Sequence, residues 1–187
     1  VVHIHGFPVH DDPEKKLLVK EMGLFNFNNE TAYLFRFRLH RTIHSLQPQD
    51  HDSALWCCRN KHGLTFKDSE GDLNQRNVQH ILSRISHYSN KRHLAILYKG
   101  QHEKMLLHRA GAHHTIEIGQ LGCPSFDSLQ ANPVFQTSVL SFSTQITSTT
   151  QQKCNRHSRP AVNGLQNCPM DNVRCFVYWI MAFCPKN

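Results

Sequence analysis

A run of metal-ligand residues near the C-terminal end constrains this chain more than any other feature. Cys154 and His157 form a Cys-x-x-His pair, and ten residues separate that pair from Cys168, which stands at the mouth of an apolar stretch over 173–183. Thiolate and imidazole are ligands that zinc prefers, and two of them three residues apart can share one tetrahedral ion. Three donors therefore lie close in sequence, and a fourth must come from elsewhere in the chain.

The fourth donor has two candidates. Glu21 belongs to a set of alternating residues that we expect on one face of a strand. The set is Leu17, Val19, Glu21, Gly23, Phe25 and Phe27. An ionised carboxylate in that apolar register is costly unless it is paired or bound to a cation, although a strand edge where Glu21 meets water or a lysine would also accommodate it. Cys123, which follows a predicted strand, is the other candidate.

Composition and charge limit the class of protein. With 187 residues, 39% of them hydrophobic and 19% charged, the chain can build one domain with a sizeable core and is globular rather than disordered. A formal net charge of +7 favours a polyanionic partner, of which nucleic acid is the commonest. No apolar run is long enough to cross a bilayer, so we expect no membrane association. The first residues lack the shape of a signal peptide and an initiator methionine, which is typical of a fragment.

The seven cysteines indicate the redox compartment. They are Cys57, Cys58, Cys123, Cys154, Cys168, Cys175 and Cys184. An odd number without a signal sequence favours a reducing compartment, in which thiols bind metal or pack as small hydrophobic groups. We therefore expect an intracellular protein, cytoplasmic or nuclear, with disulfides as the alternative if a leader precedes the first residue.

The order of predicted elements indicates a fold class. We expect an irregular lead-in over 1–14 and a single domain over 15–187, with loops and a short strand over 40–72 and an exposed, flexible loop over 136–152. The remaining predicted elements are strands over 17–27, 33–39, 94–98 and 114–119, and helices over 78–88, 101–109, 126–129 and 173–184. A hairpin followed by parallel strands predicts a mixed α/β sheet with helices on both faces, which is the ground plan of the ribonuclease H-like fold.

Several of these residues together resemble the Maelstrom domain, a ribonuclease H-like domain related to DEDD-type 3′–5′ exonucleases and associated with the piRNA pathway. That family carries an ordered Glu, His, His, Cys, His and Cys. The residues that match this order are Glu21 in Val-Lys-Glu-Met-Gly, His51, His62 in Asn-Lys-His-Gly-Leu, Cys154, His157 and Cys168. The resemblance runs from about residue 15 to the C-terminal end.

The resemblance implies both a metal site and an activity. In that family the Glu, Cys, His and Cys hold one zinc ion, which carries over to Glu21, Cys154, His157 and Cys168. A closed four-ligand site of this kind is structural and contributes to folding. The family also implies cleavage of single-stranded RNA and a role in RNA silencing.

The chain departs from an active DEDD exonuclease in its carboxylates. Such an enzyme needs four carboxylates around two metal ions, beginning with an Asp-x-Glu pair on its first strand. Here the matching triplet is Val19-Lys20-Glu21, so one carboxylate is absent. Glu103 and Asp171 are candidates for the later acids, and His62 is a candidate general base, although a lone histidine is more often a structural hydrogen-bonding residue.

Two pairs of basic residues are candidates for RNA contact. Arg36 and Arg38 share one face of the second predicted strand, and Lys91 and Arg92 form a short basic cluster; both pairs could equally be a solvated face. The leading hypothesis is a zinc-stabilised domain that binds single-stranded RNA and has weak ribonuclease activity. A divergent DEDD-type 3′–5′ exonuclease and a catalytically inactive scaffold for protein partners are the alternatives.

Overall fold

The computed structural model describes residues 1–10, 17–133, 135 and 168–183. Within them six strands form one mixed sheet in the order β4-β3-β2-β1-β5-β6. The strands are β1 Val2–Pro8, β2 Leu17–Asn26, β3 Thr31–Arg38, β4 Leu73–Asn74, β5 Ile96–Tyr98 and β6 Thr115–Glu117. Strand β2 is antiparallel to both β1 and β3, whereas β4 is parallel to β3 and β5 is parallel to both β1 and β6. The predicted mixed α/β sheet is thereby confirmed.

Five α-helices lie within the described residues. They are α1 Pro48–Trp56, α2 Arg76–Arg92, α3 Gln101–Arg109, α4 Phe126–Ala131 and α5 Pro169–Phe183. Helices α2 and α3 bury Leu82 and Leu107 with Met22 on one face of the sheet. Helices α4 and α5 pack on the other face, where Phe25 and Phe176 share one apolar cluster. The helices predicted over 78–88, 101–109, 126–129 and 173–184 correspond to α2 to α5, although residue 184 lies outside the described residues.

The prediction of an irregular lead-in over 1–14 was wrong for residues 2–8. They form β1, the strand that pairs with both β2 and β5 and so lies in the middle of the sheet. Val2 and Ile4 alternate with His3 and His5, and all but the half-buried His3 are buried. The first predicted strand is therefore the second in the structure, and Glu21 lies on β2 rather than on the first strand.

The prediction of loops with a short strand over 40–72 was also wrong. Helix α1 begins at Pro48, which suits the first helical turn because proline lacks the N–H that a helix start leaves unbonded. A π-helical turn, Cys57–Lys61, continues α1 directly. Only Asp50 and Ala54 of α1 are buried, so the segment carries almost no apolar periodicity by which a helix could be predicted.

Helix α5 lies unusually close to the sheet where it begins. A β-carbon on Gly23 would stand 2.6 Å from the carbonyl oxygen of Pro169, which no side chain could occupy without moving the backbone. Glycine at this position of β2 therefore permits the first turn of α5 to rest on the strand. The contact holds Cys168, which is buried just ahead of that turn, over the same face of the sheet as Gly23.

Several predictions fall outside the described residues. The loop over 136–152 lies there, as do Cys154, His157 and Cys184. Across the part of the chain that the structure describes, no helix combines the length and apolar character needed to cross a membrane.

Candidate functional site

A polar stripe crosses the sheet on the face that α5 covers. His5 of β1 is paired with Glu21 of β2, and Glu21 is paired in turn with Arg36 of β3. Residues directly opposite each other in a sheet project to the same side, so these three side chains share one face with His3. Glu21 is only 2% exposed and His5 4% exposed. Burying such groups is unfavourable without partners, so their partners indicate what the stripe does.

His3 is joined to Glu103 at one end of this stripe. The two atoms His3 Nδ1 and Glu103 Oε1 lie 2.9 Å apart, and the same carboxylate oxygen accepts a hydrogen bond from the Ile4 amide at 3.0 Å. The ring nitrogen is not aligned for a linear hydrogen bond, so the histidine contact is a close polar pair. Burial by itself raises the pKa of Glu103, but the His3 ring and the Ile4 amide outweigh it and lower that pKa.

Hydrogen bonds to backbone groups fix the His62 ring next to the polar stripe. The π-helical turn Cys57–Lys61 ends at His62, whose Nε2 lies 3.2 Å from the carbonyl oxygen of Gly6. Its other ring nitrogen, Nδ1, accepts a hydrogen bond of 3.2 Å from the Leu64 amide. A carbonyl can only accept, so Nε2 donates and the ring is the neutral tautomer. Both nitrogens of this fully buried ring are thus engaged, which fits a structural histidine better than the predicted general base.

His5 connects this histidine to α5. Its ring stacks on His62 with centroids 5.3 Å apart, and its Nε2 lies 3.3 Å from Nδ2 of the buried Asn172. The Oδ1 atom of Asn172 has no hydrogen-bond partner among the described residues. Turning the amide by 180° would let that oxygen accept a hydrogen bond from a protonated His5 Nε2, and amide orientation is set by such networks. Either orientation ties α5 to β1.

Of the three histidines His3, His5 and His62, His3 is the one that reaches solvent. The His3 side chain is 14% exposed and stands beside the carboxylate of Glu103, whereas His5 and His62 are buried. Nearby, burial lowers the pKa of His102; the charge of Lys61 lowers it further, while Glu103 opposes both. An imidazole beside a carboxylate is an arrangement that general acid–base catalysis uses, and His3 with Glu103 provides it at the surface end of the polar stripe.

The four predicted zinc ligands are only partly described. Glu21 lies on β2 two residues before Gly23, so it projects from the same face at the start of α5, where Cys168 is buried. Cys154 and His157 lie outside the described residues. Within residues 1–10, 17–133, 135 and 168–183, no three His, Cys, Asp or Glu side chains gather in a way that could hold a metal ion.

The alternative ligand Cys123 belongs to the same buried cluster as Cys168 and Cys175. Burial is the main cause of the raised pKa of the Cys175 thiol; the charge of Asp171 raises that pKa further, and Cys123 adds to the rise. Glu21 and Cys123 thus both lie on the side of the sheet that α5 covers, and both stay candidates for the fourth donor.

The predicted exonuclease acids have different partners. Glu103 lies beside His3, while Asp171 forms an ion pair of 3.2 Å with Arg174 on α5. The first strand of the sheet carries His3 and His5 at the spacing where a DEDD enzyme carries Asp-x-Glu. The described residues thus offer histidines rather than carboxylates on that strand.

The predicted RNA-binding residues divide into two groups. The Arg36 side chain is mostly buried with Nε 3.7 Å from Glu21 Oε1, and Arg38 Nε donates to the carbonyl oxygen of Gly71 at 2.7 Å. Lys91 and Arg92 are exposed in the last turn of α2. Only the second pair is therefore presented to solvent together.

His3, His5 and Asn172 were not predicted as site residues. The alternation of His3 and His5 with Val2 and Ile4 is a two-residue period, and it could have identified both a strand and a polar face on it. Asn172 gives no such signal, because its partner His5 is 167 positions away in sequence.

No family model, curated protein or solved structure matches the chain.

Replacement of Glu103 by glutamine tests the His3 pair through its pH dependence. The folded state lowers the pKa of this carboxyl from its ordinary value of 4.5, so ionised Glu103 contributes stability above about that pH and loses it as the pH falls through the lower folded value. At neutral pH we expect Glu103→Gln to reduce the free energy of unfolding by about 2 kcal/mol. The measurement is urea denaturation between acidic and neutral pH.

The difference in unfolding free energy between the wild type and Glu103→Gln should shrink as the pH falls below 4.5, the ordinary pKa of this carboxyl. Glu117→Gln is the control, since Glu117 lies on β6, outside the His3 cluster. A difference that stays constant with pH would show that the Glu103 charge does not contribute.

Proposed function

We propose that this chain is a zinc-stabilised, ribonuclease H-like domain of the Maelstrom type that binds single-stranded RNA. The observation that carries the proposal is the burial of Glu21 on the face of β2 where α5 and Cys168 begin. Two residues separated by 147 positions thus lie at one end of one helix, and both are donors that zinc accepts. The intracellular location expected from the sequence is in keeping with the five free thiols among the described residues.

The strand order supports the choice of fold. Three antiparallel strands, β3, β2 and β1, are followed across the sheet by β5 and β6 in parallel with β1. Helix α2 connects the antiparallel part to β5, and α3 connects β5 to β6, as the ribonuclease H-like plan requires. Helix α5 then returns to the centre of the sheet.

The chemistry of Glu21 supports a cation at this position. Its Oε1 atom lies 3.7 Å from Arg36 Nε, which is longer than a hydrogen bond, and carboxylate oxygen is a ligand that zinc accepts. A buried carboxylate is stable where it is paired or coordinates a metal. With Cys154, His157 and Cys168 as the other donors, zinc would fasten β2 to the start of α5 and contribute to folding rather than to catalysis.

Substitution of the predicted ligands tests the zinc site. We expect the purified chain to contain about one zinc per molecule and Cys154→Ala to lose most of it, because a site with three donors holds the ion far less tightly. Elemental analysis measures the metal and thermal unfolding measures the accompanying loss of stability. Cys58→Ser is the matched control, since this half-buried thiol lies on the π-helical turn away from α5 and should retain zinc.

Folded wild-type protein without zinc would reject the site. Loss of zinc from Cys123→Ala but not from Glu21→Gln would instead assign the fourth position to the cysteine.

Binding to RNA follows from charge that is not neutralised internally. The net charge is +7, and Lys91 and Arg92 are exposed at the end of α2. Affinity for a labelled single-stranded RNA should fall linearly with the logarithm of salt concentration, and Lys91→Gln should reduce that slope by about 0.7, the value for one phosphate contact on a single strand. Lys104→Gln on α3, also exposed, is the control.

Fluorescence anisotropy between low and physiological salt measures this slope. RNA affinity that is absent, or that does not depend on salt, would favour the protein-interaction scaffold.

A second function, cleavage of RNA without a two-metal centre, is supported by the His3–Glu103 pair. With Nδ1 held at 2.9 Å from the carboxylate, His3 Nε2 is the atom to accept a proton from a ribose 2′-hydroxyl. The 2′-oxygen would then attack the adjacent phosphorus while the bond to the 5′-oxygen breaks and that oxygen takes a proton from water. The products are a 2′,3′-cyclic phosphate and a free 5′-hydroxyl.

His3→Gln should lower the rate of this cleavage by about 100-fold or more without weakening RNA binding, because general-base catalysis contributes at least that much. The rate is measured by gel analysis of a labelled single strand in buffer without added divalent metal. His108→Gln, on the exposed side of α3, is the control. Equal cleavage of a DNA strand, which has no 2′-hydroxyl, would exclude this chemistry.

A further inference from the structure

Helix α2 has an unusually one-sided charge. Its seventeen residues contain no Asp or Glu, and its basic residues are Arg76, Arg84, Lys91 and Arg92. Val78 and Leu82 bury the opposite side of the helix against the sheet, and all four basic residues are exposed. The solvent face of α2 is therefore complementary to a polyanion.

Two hydrogen bonds show the direction of helix α2 relative to β3. At its start, Gln75 Nε2 donates to the carbonyl oxygen of Arg38 at 3.0 Å. Near its end, the Tyr88 hydroxyl accepts a hydrogen bond of 3.2 Å from Asn28, in the turn between β2 and β3. The helix is thus antiparallel to β3, and its last turns lie toward the end of the sheet where that strand begins, two residues before Tyr33.

Two aromatic rings of this region are exposed, while a third, Phe35, is half-buried against the apolar cluster. Tyr33 is 38% exposed and Tyr88 43% exposed, and Tyr33 stacks on Phe35 with centroids 6.3 Å apart and planes 12° apart. The Arg92 guanidinium lies 5.7 Å from the centre of the Tyr88 ring. Among the described residues, β4 pairs only with Phe37 and Arg38 on the outer edge of β3, and Tyr33 is paired only on the inner edge, with Leu24 of β2.

Two basic residues and one aromatic residue of α2 lie on the same face of the helix. Arg84, Tyr88 and Arg92 are spaced four residues apart, so they follow one face of α2. We call these three residues, together with Tyr33 and Phe35, the aromatic–basic stripe. It alternates cations that suit phosphate with flat rings that suit a second aromatic surface.

We propose that the aromatic–basic stripe is where the protein binds single-stranded nucleic acid, with bases stacked on Tyr33 and Tyr88 and phosphates beside Arg84 and Arg92. This inference rests on the proposed RNA-binding function and assigns it a surface and a mode of recognition. The rings favour unpaired bases over a duplex, whose base faces are already stacked, and over polyanions that have no bases.

Substitution of Tyr88 separates stacking from charge. Tyr88→Ala should weaken binding of an unstructured uridine-rich RNA about tenfold, which is the effect of losing one stacked base. Tyr88→Phe keeps the ring and should bind like the wild type, although it loses the hydroxyl that meets Asn28. Trp56→Ala is the control, because Trp56 is 58% exposed but lies on α1, away from the stripe. Circular dichroism and thermal unfolding confirm that each variant is folded.

A strand of the same length that carries abasic sites shows whether the bases take part. The wild type should bind it about tenfold more weakly than the intact RNA, whereas Tyr88→Ala should distinguish the two strands less. The salt slope should be the same for Tyr88→Ala and the wild type, because no charge is removed.

The outcomes distinguish this inference from the function on which it rests. If Tyr88→Ala and Tyr33→Ala both bind RNA with unchanged affinity and salt dependence, the aromatic–basic stripe is not the binding surface, although the protein still binds RNA. Absence of RNA binding in the wild type would overturn both. Binding of duplex as tightly as single strand, or of an extended peptide along β3 in preference to RNA, would also overturn the stripe.

Discussion

The seating of α5 on the central strands is the contact on which the rest of the structure depends. Gly23 permits the first turn of the helix to touch β2, Asn172 meets His5 on β1, and Phe176 and Val177 fill the apolar cluster behind them. The same face carries Glu21, so the helix covers an apolar surface with charged and polar groups embedded in it. Packing alone would favour a wholly apolar interface; the polar groups instead restrict where along the sheet the helix can settle, because each needs a particular partner.

Strand β1 owes its position to hydrogen bonds as much as to hydrophobic burial. Its register with β2 shifts between His5 and Gly6, and the carbonyl oxygen of Gly6 at this irregularity is bonded by His62. Two residues earlier in the same strand, the Ile4 amide is bonded by Glu103. Bulges interrupt the regular ladder and need such external partners. His62, at the end of the π-helical turn, and Glu103, in the first turn of α3, thus both bond to the backbone of β1.

The strands and helices that the sequence predicted correctly are those with a clear apolar periodicity. Strands β2 and β3 and helices α2 and α3 were predicted because one side of each is regularly apolar. Glu21 is buried, but the predicted set does not share one face: Leu17 and Val19 join the cluster of Met22 on the opposite side, because the register with β1 shifts between His5 and Gly6. Strand β1 was missed because its polar positions are histidines that face the interior, so hydrophobicity no longer separates inside from outside. Contacts such as that of His5 with Asn172 depend on three-dimensional packing, and no local pattern encodes them.

The proposed binding and acid–base sites lie on different sides of the sheet. The aromatic–basic stripe belongs to the α2 side at the β3 edge, whereas His3 contacts Phe176 of α5 on the opposite face, with ring centroids 5.6 Å apart. Two strand spacings separate β3 from β1, about 10 Å, and the thickness of the sheet adds to that distance. An RNA molecule bound along α2 must therefore pass around an end of the sheet to reach His3. Affinity and cleavage can then be changed separately, and a short RNA could occupy the stripe without reaching the His3–Glu103 pair.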